Sequence, residues 1–433
     1  MPFTTEQLEQ YVSGQLIGRG DFQCSGAEID TRRALHGKVF FALKGERADG
    51  HDFVEEAVQK GCSAVVVSRP VKCEVPVVLV DCPRSALFEL ALKRREFVTG
   101  VVIAITGSVG KTTTKNLIAD LLGSDAVRSP MSFNNELGIP LTMLDAEGSS
   151  FVVIEVGANE VGEIPKLSTL VQPDVAVLTA IAPAHLEGFG SIEAIAKEKC
   201  SLLESLGEDG TAIIGRGVDV SQASISCPLI CIDDLPWSFS QTPSGQGFIS
   251  MDGTECELKL LGAHNAMNGA LAILATEEAI KRSAVNCSRV ELQQSIMAVQ
   301  PTEGRMSSHL VDGITFINDA YNANPASMNA LLTFASGCEA KRKVLVLGDM
   351  LELGEYSPTS HEEIIHQVMD TKVGEVLTVG NHFFETKRES KRLKKFKTIF
   401  EAEKFLSEKN YFKTNFLIKG SRSIALERLI ELL

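Results

Sequence analysis

Short apolar runs alternate with longer amphipathic stretches along the 433 residues of the chain. In the first part, residues 39–43, 64–67 and 77–80 are short apolar runs, and residues 85–95 follow a helical pattern. Apolar runs of this length, separated by helical patterns, are typical of strands and helices in an α/β unit. The pattern predicts a small N-terminal α/β domain, which we place at residues 1–97.

A second group of apolar runs predicts a central domain over residues 98–309. Its predicted strands lie at residues 101–105, 151–156, 175–181 and 211–214. Helical segments separate them, which favours a doubly wound, mostly parallel sheet. Residues 247–260 alternate around Asp252 and Gly253, a turn pair that predicts a β-hairpin at one edge of this domain.

The last part of the chain repeats the alternation and predicts a C-terminal domain over residues 310–433. Its predicted strands lie at residues 314–318, 343–348, 375–380 and 416–420. The order of strands and helices indicates another open, Rossmann-like α/β sheet. The predicted fold class is therefore α/β, with three domains.

The composition and net charge of the chain limit the classes of molecule that it is expected to bind. A net charge of −14 argues against wholesale nucleic-acid binding, because the phosphate backbone demands a positive face. The one basic run, at residues 387–397, is predicted to be a solvated helix or loop surface. The chain shows no signal-peptide pattern and no apolar run of the ~18 residues that a membrane helix needs. We expect a cytoplasmic monomer with reduced cysteines and no membrane insertion.

The segment "TGSVGKT" at residues 106–112 follows a predicted strand and precedes a predicted helix. Gly107 and Gly110 permit tight turns that let backbone N–H groups converge on phosphate oxygens. Lys111 can reach the β- and γ-phosphates, and Thr112 offers a hydroxyl to Mg²⁺. The spacing is shorter than the general phosphate-loop motif, so a chance glycine-rich turn is the alternative. The context of strand, loop and helix favours a site for ATP or GTP.

Two further residues lie after predicted central strands, at the edge where open α/β sheets bind ligands. Glu155 ends one strand and is placed to take a metal that bridges phosphates, although an edge glutamate facing solvent is the alternative. His185 follows another strand and could bind a second metal. A lone histidine is also compatible with a purely structural role.

A lysine within an apolar stripe gives a third candidate. Ser191 is a plausible N-cap for a helix whose stripe runs through Ile192, Ile195, Ala196, Leu202, Leu203 and Leu206. Lys199 falls inside this stripe, whereas Lys197 falls outside it. Burial favours the neutral amine, which can react with CO₂ to give a carbamate, an oxygen ligand suited to Mg²⁺. The alternative is a lysine whose stem packs while its ammonium group extends to solvent.

Several longer motifs resemble the Mur ligase family of ATP-dependent amide-forming enzymes, across all three predicted domains. They are "TGSVGKTTTK" (106–115), "FNNELGIPLT" (133–142), "VIEVGANEVGEI" (153–164), "AHLEGFGSIEAIAKEK" (184–199), "GAHNAMNGALA" (262–272), "EGRM" (303–306), "INDAYNANPASM" (317–328), "VLGDMLELGE" (346–355) and "IKGSRSIALE" (418–427). The short phosphate loop is normal in this family. The segments "AYNANP", "LGDMLELGE" and "KGSRS" resemble the type that adds D-alanyl-D-alanine to UDP-N-acetylmuramoyl-tripeptide.

The resemblance implies roles for the matching residues. Catalytic roles fall to Lys111, Lys199, His185, Glu155 and Asn135. The implied ATP contacts are Gly107, Ser108, Val109, Gly110, Lys111, Thr112, Thr113, His264, Asn265, Asn268, Arg305, Asp319 and Tyr321. Two Mg²⁺ ions are implied. Thr112 and Glu155 would share one of them, and His185 and carbamylated Lys199 would bind the other.

The resemblance also implies where the other two substrates bind. The UDP-sugar contacts would be Asp30, Thr31, Arg32, Gly45, Asp49, Gly50 and His51 in the N-terminal domain. The peptide and dipeptide contacts would be Asn134, Asn135, Asn322, Asn324, Lys419, Ser421 and Arg422. The C-terminal domain would hold the dipeptide and close over ATP.

The implied reaction couples ATP to amide formation in peptidoglycan synthesis. The tripeptide carboxylate would become an acyl phosphate, and the amine of D-alanyl-D-alanine would displace phosphate to give UDP-N-acetylmuramoyl-pentapeptide. A ligase of this family or a folylpolyglutamate synthetase that adds a single amino acid is the related alternative. A nucleotide-binding switch without ligase chemistry is the alternative from a different class.

Overall fold

The structure is a computed structural model that describes residues 2–18 and 21–432. The first unit is a five-stranded sheet of order β2-β7-β6-β5-β4, with a two-stranded β1-β3 ribbon beside it. Its elements are β1 Phe3–Thr4, α1 Thr5–Tyr11, β2 Gln15–Ile17, β3 Gln23–Cys24, β4 Ala27–Glu28, β5 Val39–Phe41, α2 Val54–Gln59, β6 Ala64–Val67, β7 Val77–Leu79 and α3 Pro83–Arg94. The three strands and the helix predicted from the apolar pattern are confirmed. Two of the strands end earlier than predicted, and the helix begins two residues earlier and ends one residue earlier.

The middle unit carries a six-stranded, all-parallel sheet of order β13-β12-β11-β8-β10-β9. Its elements are β8 Val101–Thr106, α4 Lys111–Leu122, β9 Ala126–Arg128, α5 Gly138–Asp145, β10 Phe151–Glu155, α6 Glu163–Val171, β11 Val175–Leu178, α7 Leu186–Phe189, α8 Ile192–Glu204, β12 Thr211–Ile214, β13 Leu229–Cys231, β14 Ser238–Gln241, β15 Gln246–Met251, β16 Thr254–Leu261, α9 Ala263–Lys281 and α10 Arg289–Ala298. Strand β8 lies between β10 and β11, so the loops after these three strands meet at one edge of the sheet.

Both faces of the central sheet are covered, which explains the continuous apolar runs of its strands. Val102 and Ile154 pack into a cluster with Leu203 of α8. Ile103 and Val153 point to the opposite face, where they pack with Leu271 of α9. Alternate side chains of one strand therefore hold helices on both sides, and this fixes where each strand ends.

The predicted hairpin is confirmed as β15 and β16. Asp252 and Gly253 connect the two strands with φ values of 51° and 77°, the left-handed conformations that a two-residue hairpin turn requires. Strand β14 pairs with β15 and completes a three-stranded antiparallel sheet that the apolar pattern did not predict.

The third unit is a six-stranded sheet of order β17-β18-β22-β19-β20-β21, parallel except for the β17–β18 pair. Its elements are β17 Ser307–Val311, β18 Ile314–Asn318, α11 Pro325–Gly337, β19 Lys343–Gly348, α12 Ser357–Asp370, β20 Glu375–Val379, α13 Asn381–Phe384, β21 Leu393–Phe396, α14 Ile399–Ser407, β22 Asn415–Lys419 and α15 Arg428–Leu432. The basic run at 387–397 was predicted as helix or loop. Its end instead forms the edge strand β21, where charged side chains are typical because they discourage pairing with other chains.

The three large sheets, with the helices that follow their strands, confirm the predicted α/β fold class with a parallel central sheet. The domain borders remain predictions, and β17 straddles the one placed between residues 309 and 310. Within residues 2–18 and 21–432, no helix combines the length and the apolar character that a membrane crossing requires.

Candidate active site

A cavity of about 560 Å³ lies at the carboxyl edge of the central sheet. Open α/β sheets bind ligands at this edge, where the strand order reverses. Residues from all three units line the cavity, which makes it a meeting point of the units. Most of the side chains proposed above for ATP and for the reaction lie in its wall.

The loop between β8 and α4 forms the floor of the cavity and needs both of its glycines. Gly107 has φ of 145°, and a Cβ atom there would lie 2.0 Å from the Thr179 hydroxyl oxygen. Gly110 has φ of 84°, and a Cβ atom there would lie 2.6 Å from Oδ1 of Asn268. Any side chain at either position would clash, so the tight approach of the loop to its neighbours depends on glycine.

The backbone N–H groups of this loop are of two kinds: some donate within the protein, and those at the start of α4 have no helical acceptor. The Ser108 N–H donates to the carbonyl oxygen of Ala180, and its hydroxyl exchanges hydrogen bonds with the backbone of Ala182, so Ser108 anchors the loop to the segment after β11. The first turn of α4, from Lys111 to Thr113, has no preceding helical carbonyl to accept its N–H groups. These donors and the helix dipole favour an anion in the cavity.

Lys111 and Glu155 face the same space. The Lys111 ammonium donates to the Gly107 carbonyl oxygen at 2.7 Å. Desolvation lowers the pKa of Lys111, and the nearby Glu155 opposes that shift. Glu155 itself is 2% exposed and accepts from the Thr112 hydroxyl at 2.8 Å and from Nδ2 of Asn134 at 2.9 Å. The expectation that Glu155 lies out of solvent is confirmed.

Lys115 stands behind Glu155 and was not predicted as a site residue. Its ammonium is fully buried, lies 4.0 Å from Glu155 Oε2, and donates to the Ser129 carbonyl oxygen at 2.8 Å and to that of Met131. Desolvation lowers its pKa to about 8. Lys115 thereby holds the segment after β9 against α4. The sequence signal was available, because Lys115 is one helical turn after Lys111 and shares its face.

Lys199 is buried in α8, as the apolar stripe predicts, with 1% of its surface exposed. Desolvation, and then the positive charge of Lys111, lower its pKa to about 7. Lys197 is exposed, also as predicted. The predicted stripe is wrong at one position: Ile192 is 41% exposed, because it is the first residue of the helix and lies at the uncovered end of the stripe.

His185 lines the cavity and contacts the third unit. It caps the short helix α7 with a left-handed φ of 52°. Its Nδ1 atom lies 2.6 Å from Oε2 of Glu352, in the loop after β19. The hydrogen bond from His185 lowers the pKa of Glu352. Glu352 was not predicted as a site residue, because only the placement of the two units brings it to His185.

Side chains of the third unit, together with Arg305 two residues before its first strand β17, form the opposite wall. The Arg305 guanidinium donates to the Thr112 hydroxyl at 3.1 Å and stacks 4.1 Å from the centre of the Tyr321 ring. The Tyr321 hydroxyl lies 2.6 Å from the Ser132 hydroxyl, across the cavity. The Lys419 ammonium is buried and contacts Asp319 Oδ2 at 2.6 Å. Desolvation lowers the pKa of Lys419, and Asp319 opposes the shift.

The start of α9 contributes three polar residues to the wall. Nδ2 of Asn268 donates to Oδ1 of Asn265 at 3.0 Å, and Nδ2 of Asn265 donates to the Leu261 carbonyl oxygen at 2.8 Å. His264 lines the cavity too, and desolvation lowers its pKa. A neutral imidazole beside two amides provides both donors and acceptors.

Three other predicted asparagines line the cavity while also making hydrogen bonds within the protein. Oδ1 of Asn135 accepts from two N–H groups at the start of α5, at 3.1 Å each. Asn324 caps α11, with Oδ1 accepting from the Ser327 N–H at 2.9 Å. The Asn322 backbone carbonyl oxygen accepts a hydrogen bond from the Lys419 ammonium at 3.0 Å. Asn324 therefore serves as a helix cap as well as lining the cavity.

The predicted UDP-sugar residues lie in the first unit, outside the wall of this cavity. Asp30 pairs with the exposed Arg32 at 2.7 Å, and that hydrogen bond lowers the pKa of Asp30 to about 2. His51 is buried, with Nδ1 at 2.6 Å from Asp49 and Nε2 accepting from the Ser68 N–H at 3.0 Å. Its ring is therefore engaged within the fold.

The remaining predicted contacts also lie outside the cavity wall. Thr31 is buried, and its backbone carbonyl oxygen accepts a hydrogen bond from the Lys60 ammonium at 2.6 Å. Gly45 closes its turn through a backbone bond to Ala48 at 2.9 Å. A Cβ atom on Gly50 would lie 2.5 Å from the Leu43 nitrogen, so this turn needs glycine.

Two predicted substrate contacts of the third unit also lie outside the cavity wall. Ser421 is buried, and its hydroxyl accepts from the Leu351 N–H at 3.0 Å. Arg422 is exposed and pairs with Glu427 at 3.0 Å. The structure thus brings Lys419 to the cavity but not Ser421 or Arg422.

Arg84 is the cavity residue that the first unit supplies, and it was not predicted. It pairs with Glu136 at 2.6 Å, and Lys166 approaches the same carboxylate at 3.3 Å. Arg216 of the middle unit lines the cavity as well. Neither arginine lies in a motif of distinctive spacing, so the linear pattern contained no signal for them.

The donor set is compatible with Mg²⁺, although the described residues include no cluster of three or more His, Cys, Asp or Glu side chains suited to a metal. The Thr112 hydroxyl and the Glu155 carboxylate are hard oxygen donors, 2.8 Å apart. His185 adds a nitrogen donor. A lysine with a pKa of about 7 has a large neutral fraction near neutral pH, which carbamate formation requires.

Three family models match the chain in order. The Mur ligase family, catalytic domain matches residues 24–95, the Mur ligase middle domain matches residues 105–276, and the Mur ligase, glutamate ligase domain matches residues 304–412. The relatives include the UDP-N-acetylmuramoyl-tripeptide–D-alanyl-D-alanine ligase of Haemophilus influenzae, 35% identical over 87% of this chain and 85% of that protein. The ligase of the same name from Bacillus subtilis is 34% identical over 99% of this chain and 97% of that protein.

Solved structures give the same result. MurF from Acinetobacter baumannii superposes with a TM-score of 0.86 at 30% identity, covering 100% of this chain and 98% of that one. MurF ligase from Thermotoga maritima in complex with ADP superposes with a TM-score of 0.80 at 25% identity, covering 94% of this chain and 96% of that one. The order of the matched domains, the identity over most of the chain and the shared architecture agree, and the chain belongs to the Mur ligase family.

Proposed function

We propose that this chain is an ATP-dependent ligase that adds D-alanyl-D-alanine to UDP-N-acetylmuramoyl-tripeptide, giving UDP-N-acetylmuramoyl-pentapeptide for peptidoglycan synthesis. The observation that carries the proposal is a single cavity where a phosphate-type loop, a buried carboxylate and side chains of all three units meet. Relatives with the corresponding name match 85% and 97% of their own lengths to this chain. A three-substrate reaction also explains why three units converge on one cavity.

The ATP phosphates would lie on the loop Gly107–Thr113. The support is the free N–H groups at the start of α4, together with the Lys111 ammonium in the same wall. Arg305 would approach the phosphates from the third unit, since its guanidinium already reaches Thr112 at 3.1 Å. Two cations on opposite walls would offset the repulsion between the anionic triphosphate and the anionic substrate acid.

Thr112 and Glu155 would hold one Mg²⁺, and His185 and a Lys199 carbamate would hold a second. When bound, these ions would neutralise charge on the transferring phosphoryl group. The Lys199 amine would form the carbamate by attacking CO₂, which makes an N–C bond and releases one proton. The low pKa of Lys199 supports this step, because a large fraction of the amine is unprotonated near pH 7.

The reaction would proceed in two steps. A carboxylate oxygen of the tripeptide forms a bond to the γ-phosphorus of ATP, ADP leaves, and an acyl phosphate results. The amine of D-alanyl-D-alanine then attacks the acyl carbon, phosphate leaves, and the amine loses a proton. Asn134 and Asn135 would orient the acid, since both line the cavity beside Glu155. Closure of the third unit would exclude water from the acyl phosphate.

Substrates other than ATP would enter from two sides. Asn322, Asn324 and Lys419 would contact the dipeptide, because they lie in the wall that the third unit supplies. The UDP-sugar would extend along the first unit towards the loops at residues 30–32 and 45–51. The buried ring of His51 would then support its loop, and the backbone of that loop would make the contact.

Mass spectrometry of the products tests the proposal. The chain is incubated with ATP, UDP-N-acetylmuramoyl-tripeptide and either D-alanyl-D-alanine or single amino acids. We expect the pentapeptide, with one phosphate released for each amide formed. Preference for a single amino acid would instead indicate the related ligase class, and nucleotide binding without any amide would indicate a switch. With an ¹⁸O-labelled substrate carboxylate, label in the released phosphate supports the acyl phosphate.

A further inference from the structure

The loop after β19 reaches the middle unit next to the cavity. Glu352 Oε2 lies 2.6 Å from Nδ1 of His185. The Tyr356 hydroxyl donates to the Gly190 carbonyl oxygen at 3.2 Å. These two contacts lie on either side of the short helix α7, and both join the third unit to the middle unit. The contact of Glu352 with His185 is called the closure pair below.

The backbone of both loops is shaped for this approach. His185 and Glu352 adopt left-handed φ values of 52° and 64°, which are uncommon for residues other than glycine. Gly354 lies so close to the middle unit that a Cβ atom on it would be 3.3 Å from Cα of Glu187. Backbone conformations of this kind persist where the surrounding structure requires them. The two loops are therefore fitted to each other.

The chemistry of the closure pair determines where the imidazole proton lies. A carboxylate only accepts hydrogen bonds, so a neutral His185 that contacts Glu352 through Nδ1 must carry its proton on Nδ1. The lone pair is then on Nε2, which is free to accept a hydrogen bond or a metal ion. A carboxylate in this position also fixes the orientation of the imidazole ring. Without Glu352 the imidazole exchanges freely between its two neutral forms.

We infer that Glu352 is a positioning residue, which fixes His185 in its Nδ1-protonated form when the third unit closes on the middle unit. Closure would then do more than exclude water. Closure would place the lone pair of the His185 imidazole on Nε2, where it can bind a metal ion. The site would then be complete only when both units are together. This inference rests on the proposed function for the role of His185. The protonation state of the ring can be tested without that function.

The decisive measurement is the ¹⁵N spectrum of the histidine rings in the full-length, ligand-free chain at pH 8.5. The chain has 8 histidines, and His185→Gln identifies the signals of His185. We expect the Nδ1-protonated form in the unaltered chain. Glu352→Asn removes the pair, because its side chain is shorter, while asparagine tolerates the left-handed backbone at this position. In that variant, we expect the Nε2-protonated form to become at least as populated as the Nδ1-protonated form.

Two matched variants separate positioning from general damage. Glu352→Gln keeps an acceptor oxygen of the same reach, and we expect it to retain the Nδ1-protonated form. Glu355→Gln removes the same charge from the same exposed loop, three residues away, and we expect no change in the ring signals. A His185 tautomer that is identical in the unaltered chain and in Glu352→Asn would overturn the inference.

Ligation kinetics add a second readout. Loss of a residue that orients a metal ligand commonly reduces activity ten- to a hundredfold. We expect Glu352→Asn to lower kcat by about tenfold or more, with a smaller change in KM for D-alanyl-D-alanine, and Glu352→Gln to restore most of kcat. If the unaltered chain made no amide, the proposed function would fail while the tautomer result stood. Equal kcat in Glu352→Asn and Glu355→Gln would contradict the positioning role.

Discussion

The part of the cavity wall that belongs to the middle unit lies at the edge of one sheet. The part that belongs to the third unit contacts it through individual side chains. In the middle wall, the Thr112 hydroxyl donates to Glu155, and Lys115 lies 4.0 Å from the same carboxylate while donating to the Ser129 carbonyl oxygen, so these contacts lie inside one fold. In the opposite wall, Arg305 and Tyr321 each make one hydrogen bond across the gap, to Thr112 and Ser132.

This difference indicates separate roles for the two walls. The positions of the middle-wall groups follow from strand order and burial, so they are in place before any ligand arrives. The positions of Arg305 and Tyr321 depend on how the units are arranged. Each of these two hydrogen bonds is worth about 1 kcal/mol net, so by itself it constrains that arrangement only weakly. We therefore expect variants of the middle wall to impair the chemical steps, and variants of Arg305 and Tyr321 to impair closure and binding.

The largest expected effect is that of Lys111→Ala. The variant removes the cation nearest the phosphate loop, and we expect kcat/KM for ATP-dependent ligation to fall by about a thousandfold or more. Measurement of phosphate release with all three substrates checks this. Lys93→Ala, an exposed lysine of α3, is the control and should retain full activity. Survival of most activity in Lys111→Ala would show that the loop does not hold the triphosphate as proposed.

Lys199→Ala should cause the next largest loss, about a hundredfold in kcat. The change removes the amine that would carry the carbamate, and added short carboxylates should restore part of the activity by entering the vacated space. Lys197→Ala, on the exposed face of the same helix, is the matched control. Unchanged turnover in Lys199→Ala would eliminate the carbamate from the mechanism. Loss without any rescue would leave Lys199 as a packing residue.

The pKa of Lys199 also predicts how stability depends on pH. Burial lowers this pKa from an ordinary 10.5 to about 7, so between these values the unfolded chain binds more protons than the folded chain. The free energy of unfolding should therefore rise with pH across this window, by at most about 2–3 kcal/mol between pH 7 and 9. Lys199→Met should show a smaller rise in denaturant unfolding, in buffers freed of CO₂. An identical rise in both proteins would refute the assignment.

The smallest expected effect concerns the third-unit wall. Tyr321→Phe removes the hydroxyl that contacts Ser132 across the cavity, and one neutral hydrogen bond contributes about 1 kcal/mol. We expect KM for ATP to rise about fivefold, with kcat nearly unchanged. Ser132→Ala should have a similar effect, and the double variant should be little worse than either single one. Additive effects would show that the two hydroxyls do not act together.

The middle wall was predictable from the sequence because its signals are local. Strand, glycine loop and helix follow directly along the chain at residues 101–122, and the stripe around Lys199 has helical spacing. Even Lys115, which the sequence reasoning missed, lies within reach of the same signals. Ile192 was wrongly included in the stripe because periodicity gives the face of a helix, whereas coverage at its end depends on a neighbouring element.

The residues that the third unit and the first unit contribute to the cavity were less predictable from the sequence. Arg305, Tyr321 and Lys419 were proposed through family motifs, and no spacing rule links them to the phosphate loop. Ser421 and Arg422 belong to the same motif as Lys419 but lie away from the cavity, because the chain turns after β22. Arg84 lies in none of the quoted motifs. Glu352 lies within the motif at residues 346–355, but nothing in that motif links it to His185.

By itself, the sequence determined the α/β class, the central parallel sheet and the glycine loop between β8 and α4, and it identified Glu155 and Lys199 as candidates for burial. These follow from periodicities of two and 3.6 residues and from glycines needed at fixed positions, which act over a few residues of chain. Only the tertiary structure decided that His185 meets Glu352, that Arg84 reaches the cavity and that His51 is engaged internally. Such contacts join residues far apart in sequence, and their geometry depends on how whole units pack.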